Sequence, residues 1–171
     1  MQIYQKKPTV NGKQIFIGLI ALIVGTLFYF FDRPPEDVYF LSRLGRHFSQ
    51  YGAGPLLLGH LGASLPAFIH VFAFSLITAG ILAGRIRMAA AVCLSWISID
   101  LLFELGQKYP AAAGRLVPDW FDGIPFLENT RGYFRHGTYD VSDIIATAVG
   151  GGMAFLVIVM TMHKQKRKQK I

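Results

Sequence analysis

The chain has 171 residues, 53% apolar and 16% charged, with a formal net charge of +7 and a sequence pI near 9.7. Ordinary soluble domains are roughly 25% charged, and here the bases sit in short flanks of apolar runs, so membrane orientation and anionic lipid explain the basic balance and nucleic acid is set aside. The single cysteine, Cys93, excludes an intramolecular disulfide and a cysteine metal cluster.

Four apolar runs, residues 15–31, 66–84, 88–107 and 144–162, are each 17 to 20 residues long. A helix crossing a hydrocarbon core of about 30 Å needs about 20 residues, so the expected fold class is all-α, an integral membrane four-helix bundle. No repeat or low-complexity stretch divides it, and residues 1–171 read as a single membrane domain. The first run follows Lys6, Lys7 and Lys13 as a signal peptide would. It is long, however, and continues into Asp32, Arg33, Pro34 and Pro35 without a small-residue cleavage pattern, so it reads as a retained anchor.

The first connecting loop, residues 32–65, places Val38, Leu41, Leu44, Phe48 and Tyr51 at three- and four-residue steps, the stripe of a helix lying in the membrane interface. Gly52 to Pro55 then breaks the chain before Leu56 to Gly62, a piece too short to span and expected to be interfacial or shallowly re-entrant. Only Arg85, Ile86 and Arg87 link the second and third runs, which makes them an antiparallel hairpin. The second long loop, residues 108–143, carries Trp120, Phe121, Phe126, Tyr133, Phe134 and Tyr139, a composition suited to the headgroup zone. Loops of this length are usually functional or interfacial.

Charge orients the four runs. With the N-terminus in the cytoplasm, the inner segments hold Lys6, Lys7, Lys13, Arg85, Arg87, Lys164, Lys166, Arg167, Lys168 and Lys170 and no acid, whereas all ten acids fall on the outer side. The lysine and arginine excess selects orientation, so both termini are expected in the cytoplasm of a multi-pass protein of a bacterial cytoplasmic (inner) membrane, with both long loops extracytoplasmic.

Ionisable residues inside spans are costly and therefore informative. Here they are His70, Asp100 and Glu104, with Gln107 as a polar companion. Asp100, Glu104 and Gln107 are spaced i, i+4, i+7 and share one helix face. At 1.5 Å per residue, His70 falls about 6 Å below Pro66, Glu104 about 5 Å and Asp100 about 10 Å below Gln107, so His70 and Glu104 are expected to meet. The last run opens with Asp140 and Asp143, residues suited either to helix capping or to a site, and Arg131 and Arg135 precede them. One histidine without ligand spacing gives no ground for a metal or other cofactor.

These residues resemble VanZ-like proteins, a family of small bacterial membrane proteins with a histidine early in one span, an E-x-x-Q pair in the next and a D-x-x-D segment opening the last. The matching stretches are Leu65 to Phe74 with His70, Glu104-Leu105-Gly106-Gln107, and Gly137 to Gly150, within roughly the last 110 residues. Where such proteins often carry arginine just before the last motif, this chain has Gly137-Thr138, and the resemblance passes that role to Arg135. The family takes its name from resistance to a glycopeptide antibiotic of the teicoplanin type, so the resemblance implies a cell-envelope role with a link to such resistance, without supplying a reaction.

Two functional readings follow. In the first, the protein binds or modifies the headgroup of a membrane lipid or a lipid-linked envelope precursor at the outer leaflet. His70 and Glu104 are then acid and base, Asp143 or Asp100 an orienting carboxylate, Gln107 and Asp140 binding groups, and Arg131 or Arg135 a phosphate clamp. In the second, it is a non-catalytic membrane subunit or assembly factor, alone or with a protein partner or further copies of itself, and the polar cluster holds helices together.

Overall fold

A computed structural model of the chain describes residues 10–32, 60–125 and 127–168. Among these there is no strand. Four long helices, α1 (Gly12–Asp32), α2 (His60–Leu82), α3 (Ile86–Lys108) and α6 (Val141–Lys168), pack together, and two short ones, α4 (Pro110–Leu116) and α5 (Thr130–His136), lie between α3 and α6. The chain is a helical membrane protein by its apolar helices: α2, α3 and α6 are each long and apolar enough to cross a bilayer, and α1 adds a shorter apolar stretch, Gly12–Phe28. Leu19, Ile23, Leu94, Leu102, Leu156 and Met160 stay exposed on the helices, as faces that meet lipid would.

The centre belongs to α2, which packs against α1, α3 and α6. Val71, Ala73 and Leu76 of α2 are fully buried, with Ala154 and Ile158 of α6 and Val92 and Cys93 of α3 around them. Small residues allow the close approach. A Cβ at Gly18 of α1 would stand 2.8 Å from the Ala73 carbonyl oxygen, and one at Gly150 of α6 would stand 2.5 Å from that of Phe68. Packing of this kind replaces the hydrophobic drive that lipid does not provide.

The two ends of the bundle differ. At the hairpin end, α2 and α3 are joined by Ala83 to Arg85, and Ala83 adopts a φ of 42°. The link thus lies two residues earlier than the charge pattern indicated, because Ile86 already starts α3. The same end holds an uncharged clasp. Gln14, 1% exposed, donates from its side-chain amide to Thr161 Oγ1 at 2.8 Å and to the Ile158 carbonyl at 3.3 Å, while the Asn11 backbone N–H donates to the Gly80 carbonyl at 2.8 Å. These bonds tie α1, α2 and α6 together.

The opposite, loop end is built from residues 109–140, which fold back on α3. Pro110 opens α4, where its missing N–H leaves no helical bond unmade. A 3-10 turn over Asp119–Gly123 and another over Leu127–Asn129 lead into α5. The sequence expectation for Leu56 to Gly62 is corrected in part: from His60 onward the chain is already the first turn of α2, and Pro66 lies inside that helix. The interfacial helix expected over Val38 to Tyr51, and Phe126, lie outside the described residues.

Candidate functional site

The expected contact of His70 with Glu104 is replaced by another. His70 Nδ1 lies 3.3 Å from Asp100 Oδ1. The cause is the early start of α2. His70 stands ten residues, about 15 Å, inside that helix; Asp100 stands eight, about 12 Å, inside the end of α3 at Lys108, and Glu104 only four, about 6 Å. Matched depth therefore selects Asp100.

Asp100 is also bound from the other side. Thr147 Oγ1 of α6, fully buried, donates to Asp100 Oδ2 at 3.3 Å. An ionised carboxylate only accepts, so with Asp100 in that form the contact calls for a proton on His70 Nδ1, and Nε2 is the ring nitrogen turned away from Asp100. The Asp100 side chain is 13% exposed and that of His70 52%. His70 also meets the Phe74 ring edge-on at 4.6 Å, and Phe74 stacks on Trp96 at 4.8 Å, whose indole N–H donates to Thr78. The result is an oriented imidazole open on one face.

Glu104 occupies a second, closed pocket of polarity one turn away. It is 7% exposed, and Gln107 Nε2 donates to its Oε1 at 3.4 Å. The same Gln107 amide donates to the Tyr133 hydroxyl of α5. The Asp140 backbone N–H lies within hydrogen-bonding reach of the Glu104 carboxylate. Asp143, Asp140 and Asp100 all lie within Coulombic reach of this carboxylate. Phe134 closes the end of α3 by packing on Gly106, where a Cβ would collide with its ring. Outside the spans, burial first and the nearby Glu104 charge second push the Tyr133 phenol above its ordinary value.

The remaining residues separate. Asp140 caps α6: its Oδ1 accepts the Ser142 amide at 2.8 Å and its carbonyl accepts that of Asp143. Asp143 sits in the first turn of α6, half-buried and facing Glu104. Arg131, expected as a phosphate clamp, has a different task. Its guanidinium pairs with Asp119 at 2.6 Å and Asp122 at 3.1 Å and donates to the Val117 carbonyl at 2.9 Å, fastening α5 to the loop before it. The hydrogen bond it donates to Asp119 raises its already high pKa. Arg135 is exposed and has no ion pair among the described residues.

Sequence reasoning did not single out Thr147 or Tyr133 as site residues. A threonine within an apolar helix carries little signal, and Tyr133 was one aromatic among several. Among the described residues no group of three His, Cys, Asp or Glu side chains is arranged to hold a metal ion. Comparison with protein families, with curated proteins and with solved structures finds no match to this chain.

Proposed function

We propose that the chain crosses the bacterial cytoplasmic membrane four times with both termini in the cytoplasm, and that the loop end, at the outer leaflet, binds the headgroup of an envelope lipid or lipid-linked precursor and acts on it through His70. The observation that carries this reading is the His70 imidazole, half-exposed some way inside an apolar helix while Asp100 and Thr147 hold it from behind. An imidazole facing hydrocarbon is costly, so a polar group supplied from the membrane surface is its natural partner. With Nδ1–H on Asp100, Nε2 takes a proton from a hydroxyl or water placed against it, and Asp100 stabilises the imidazolium that forms. Thr147 orients Asp100. The resemblance to VanZ-like proteins supports an envelope role, and any link to glycopeptide resistance rests on that resemblance alone.

A structural reading is favoured for the other half of the cluster. The Glu104, Gln107 and Tyr133 chain joins α3 to α5 and is largely closed, as expected of residues holding a subunit together or shaping it for a partner protein. The test compares lipids co-purified from native membranes with the wild-type protein and with His70→Ala and Asp100→Asn. Normal accumulation with an altered lipid profile is expected in both variants. Equal profiles would sink the headgroup reading, and loss of accumulation in both would leave the polar residues as helix glue.

A further inference from the structure

The depth of His70 narrows the kind of lipid that can reach it. His70 stands six residues, about 9 Å, inside the apolar span that opens at Ser64, and Thr147 stands six, again about 9 Å, inside the span that opens at Val141. Asp100 stands eight residues, about 12 Å, from Lys108 at the end of α3. Three helices thus agree on the level. A hydrocarbon core about 30 Å thick keeps headgroups outside it, so a phosphate at the surface stays about 9–12 Å short of the imidazole. Among the described contacts of His70, which are Asp100, Phe74 and Trp96, the one charge is that of a carboxylate. The bases of the loop end are occupied above it. Arg131 is held by Asp119, Asp122 and the Val117 carbonyl, and Lys108 stands over the Tyr139 ring, 4.8 Å from its centroid.

Hydrogen-bond polarity narrows it further. With the Asp100 carboxylate accepting from Nδ1, Nε2 offers a lone pair and asks for a donor. The phosphodiester and ester carbonyls of an ordinary phospholipid only accept. A hydroxyl donates without bringing a charge into hydrocarbon, where charge is costly. Toward the hairpin end the surroundings turn apolar. Phe74 lies one turn from His70 in that direction and Trp96 one turn from Asp100, and their rings stack at 4.8 Å. The one polar side-chain atom of this pair, the Trp96 indole nitrogen, donates to Thr78 at 3.1 Å. Both rings are half-buried, so part of the wall they form stays uncovered, and a hydrocarbon chain suits it.

We propose that the ligand of His70 is an uncharged lipid alcohol, of the diacylglycerol or long-chain prenol kind, which enters sideways from the bilayer between α2 and α3. Its hydroxyl donates to Nε2, and its chain lies on Phe74 and Trp96. The opening is the exposed face of the imidazole itself, whose side chain is 52% exposed. The proposal rests on the reading that His70 receives a membrane lipid, and it names the class of that lipid.

Competition for photo-crosslinking tests it. The purified full-length chain in phosphatidylcholine vesicles is labelled with a diacylglycerol that carries a diazirine in one acyl chain. The unlabelled competitors are the same diacylglycerol, its methyl ether, phosphatidic acid with the same chains, and a long-chain prenol. Crosslinks are expected on peptides of α2 and α3, and the diacylglycerol is expected to compete about tenfold better than its ether, the scale of one hydrogen bond in a weakly hydrated site. A prenol that competes better still supports the same hydroxyl contact and assigns the chain to the prenol kind. His70→Ala, checked for unchanged helical circular dichroism, is expected to bring alcohol and ether to parity, whereas Phe74→Leu should weaken both alike. Parity of alcohol and ether in the wild type overturns the proposal without any variant, as do crosslinks confined to other helices. If phosphatidic acid competes best and loses that advantage in His70→Ala, the headgroup reading stands and the alcohol reading falls. If His70→Ala changes no competitor, both fall.

Discussion

Thr147 is the residue on which the separation of shape from chemistry is cleanest. Valine has nearly its shape, so Thr147→Val removes only the donor to Asp100 Oδ2. Hydrogen bonds between transmembrane side chains contribute about 0.6 to 2 kcal/mol, and a loss of that size should appear as a lowered unfolding midpoint in detergent. Unchanged stability would show that the bond does not form. The glycines of α6 provide a second contrast. Gly150→Ala would force a Cβ against the Phe68 carbonyl oxygen of α2, 2.5 Å away, whereas Gly152→Ala meets nothing within 4 Å. The first should destabilise by about 1–3 kcal/mol through overpacking, and the second should be neutral or favourable by up to about 1 kcal/mol through helix propensity. Gly150 and Gly152 look alike in sequence; which of them faces a helix depends on the rotation of α6, which apolar content on every side leaves unspecified. Tyr133 carries the pH dependence. Its folded pKa is raised by burial and by Glu104, so the stability it contributes is full below the ordinary tyrosine value and is lost as pH rises through the folded one. Glu104→Gln should move the Tyr133 phenolate transition downward in an alkaline absorbance titration, with Tyr133→Phe identifying the transition; an upward movement would contradict the contact.

At the scale of elements, the fold of residues 109–140 depends on Arg131. Asp119 is 98% exposed as a side chain and Asp122 59%, and exposed pairs of this kind contribute about 0 to 1 kcal/mol and weaken with salt. The bond to the Val117 carbonyl is the one salt does not screen away, because Val117 is buried. Asp119→Asn should therefore leave hydrogen exchange of residues 117–125 nearly unchanged, and Arg131→Ala should speed it while α2, α3 and α6 keep their protection. Equal effects of the two substitutions would place the strength in the ion pair instead. The helices α2, α3 and α6 were legible because a long apolar run has few other solutions. Their pairing by depth was not. The level at which His70 met α3 depended on where α2 began, and the apolar run that opens at Pro66 placed that start six residues later than His60. The task of Arg131 was likewise hidden, since an arginine twelve residues from Asp119 looks the same whether it binds a phosphate or its own loop.

For the whole molecule, the asymmetry of charge coincides with an asymmetry of construction. The hairpin end is closed by uncharged bonds from Asn11 and Gln14, while His70, Asp100, Glu104 and Asp143 gather toward the loop end. A buried amide clasp needs no particular side of the membrane, but flanking lysines and arginines do. Lys13, Arg85 and Arg87 lie at the hairpin end beside that clasp, so that end should face the cytoplasm and the carboxylates the outside. Three glycines permit a direct test, because a Cβ at Gly12, Gly114 or Gly123 meets nothing within 4 Å and cysteine there leaves packing undisturbed. The native Cys93, 4% exposed within α3, should contribute little background to a membrane-impermeant maleimide. In intact cells from which any outer membrane has been removed, Gly114→Cys and Gly123→Cys should label and Gly12→Cys should not, with Gly12→Cys labelling once the bilayer is opened. Labelling of Gly12→Cys from outside would invert the topology, move the carboxylate cluster to the cytoplasmic leaflet, and with it remove the outer-leaflet headgroup from the proposed function.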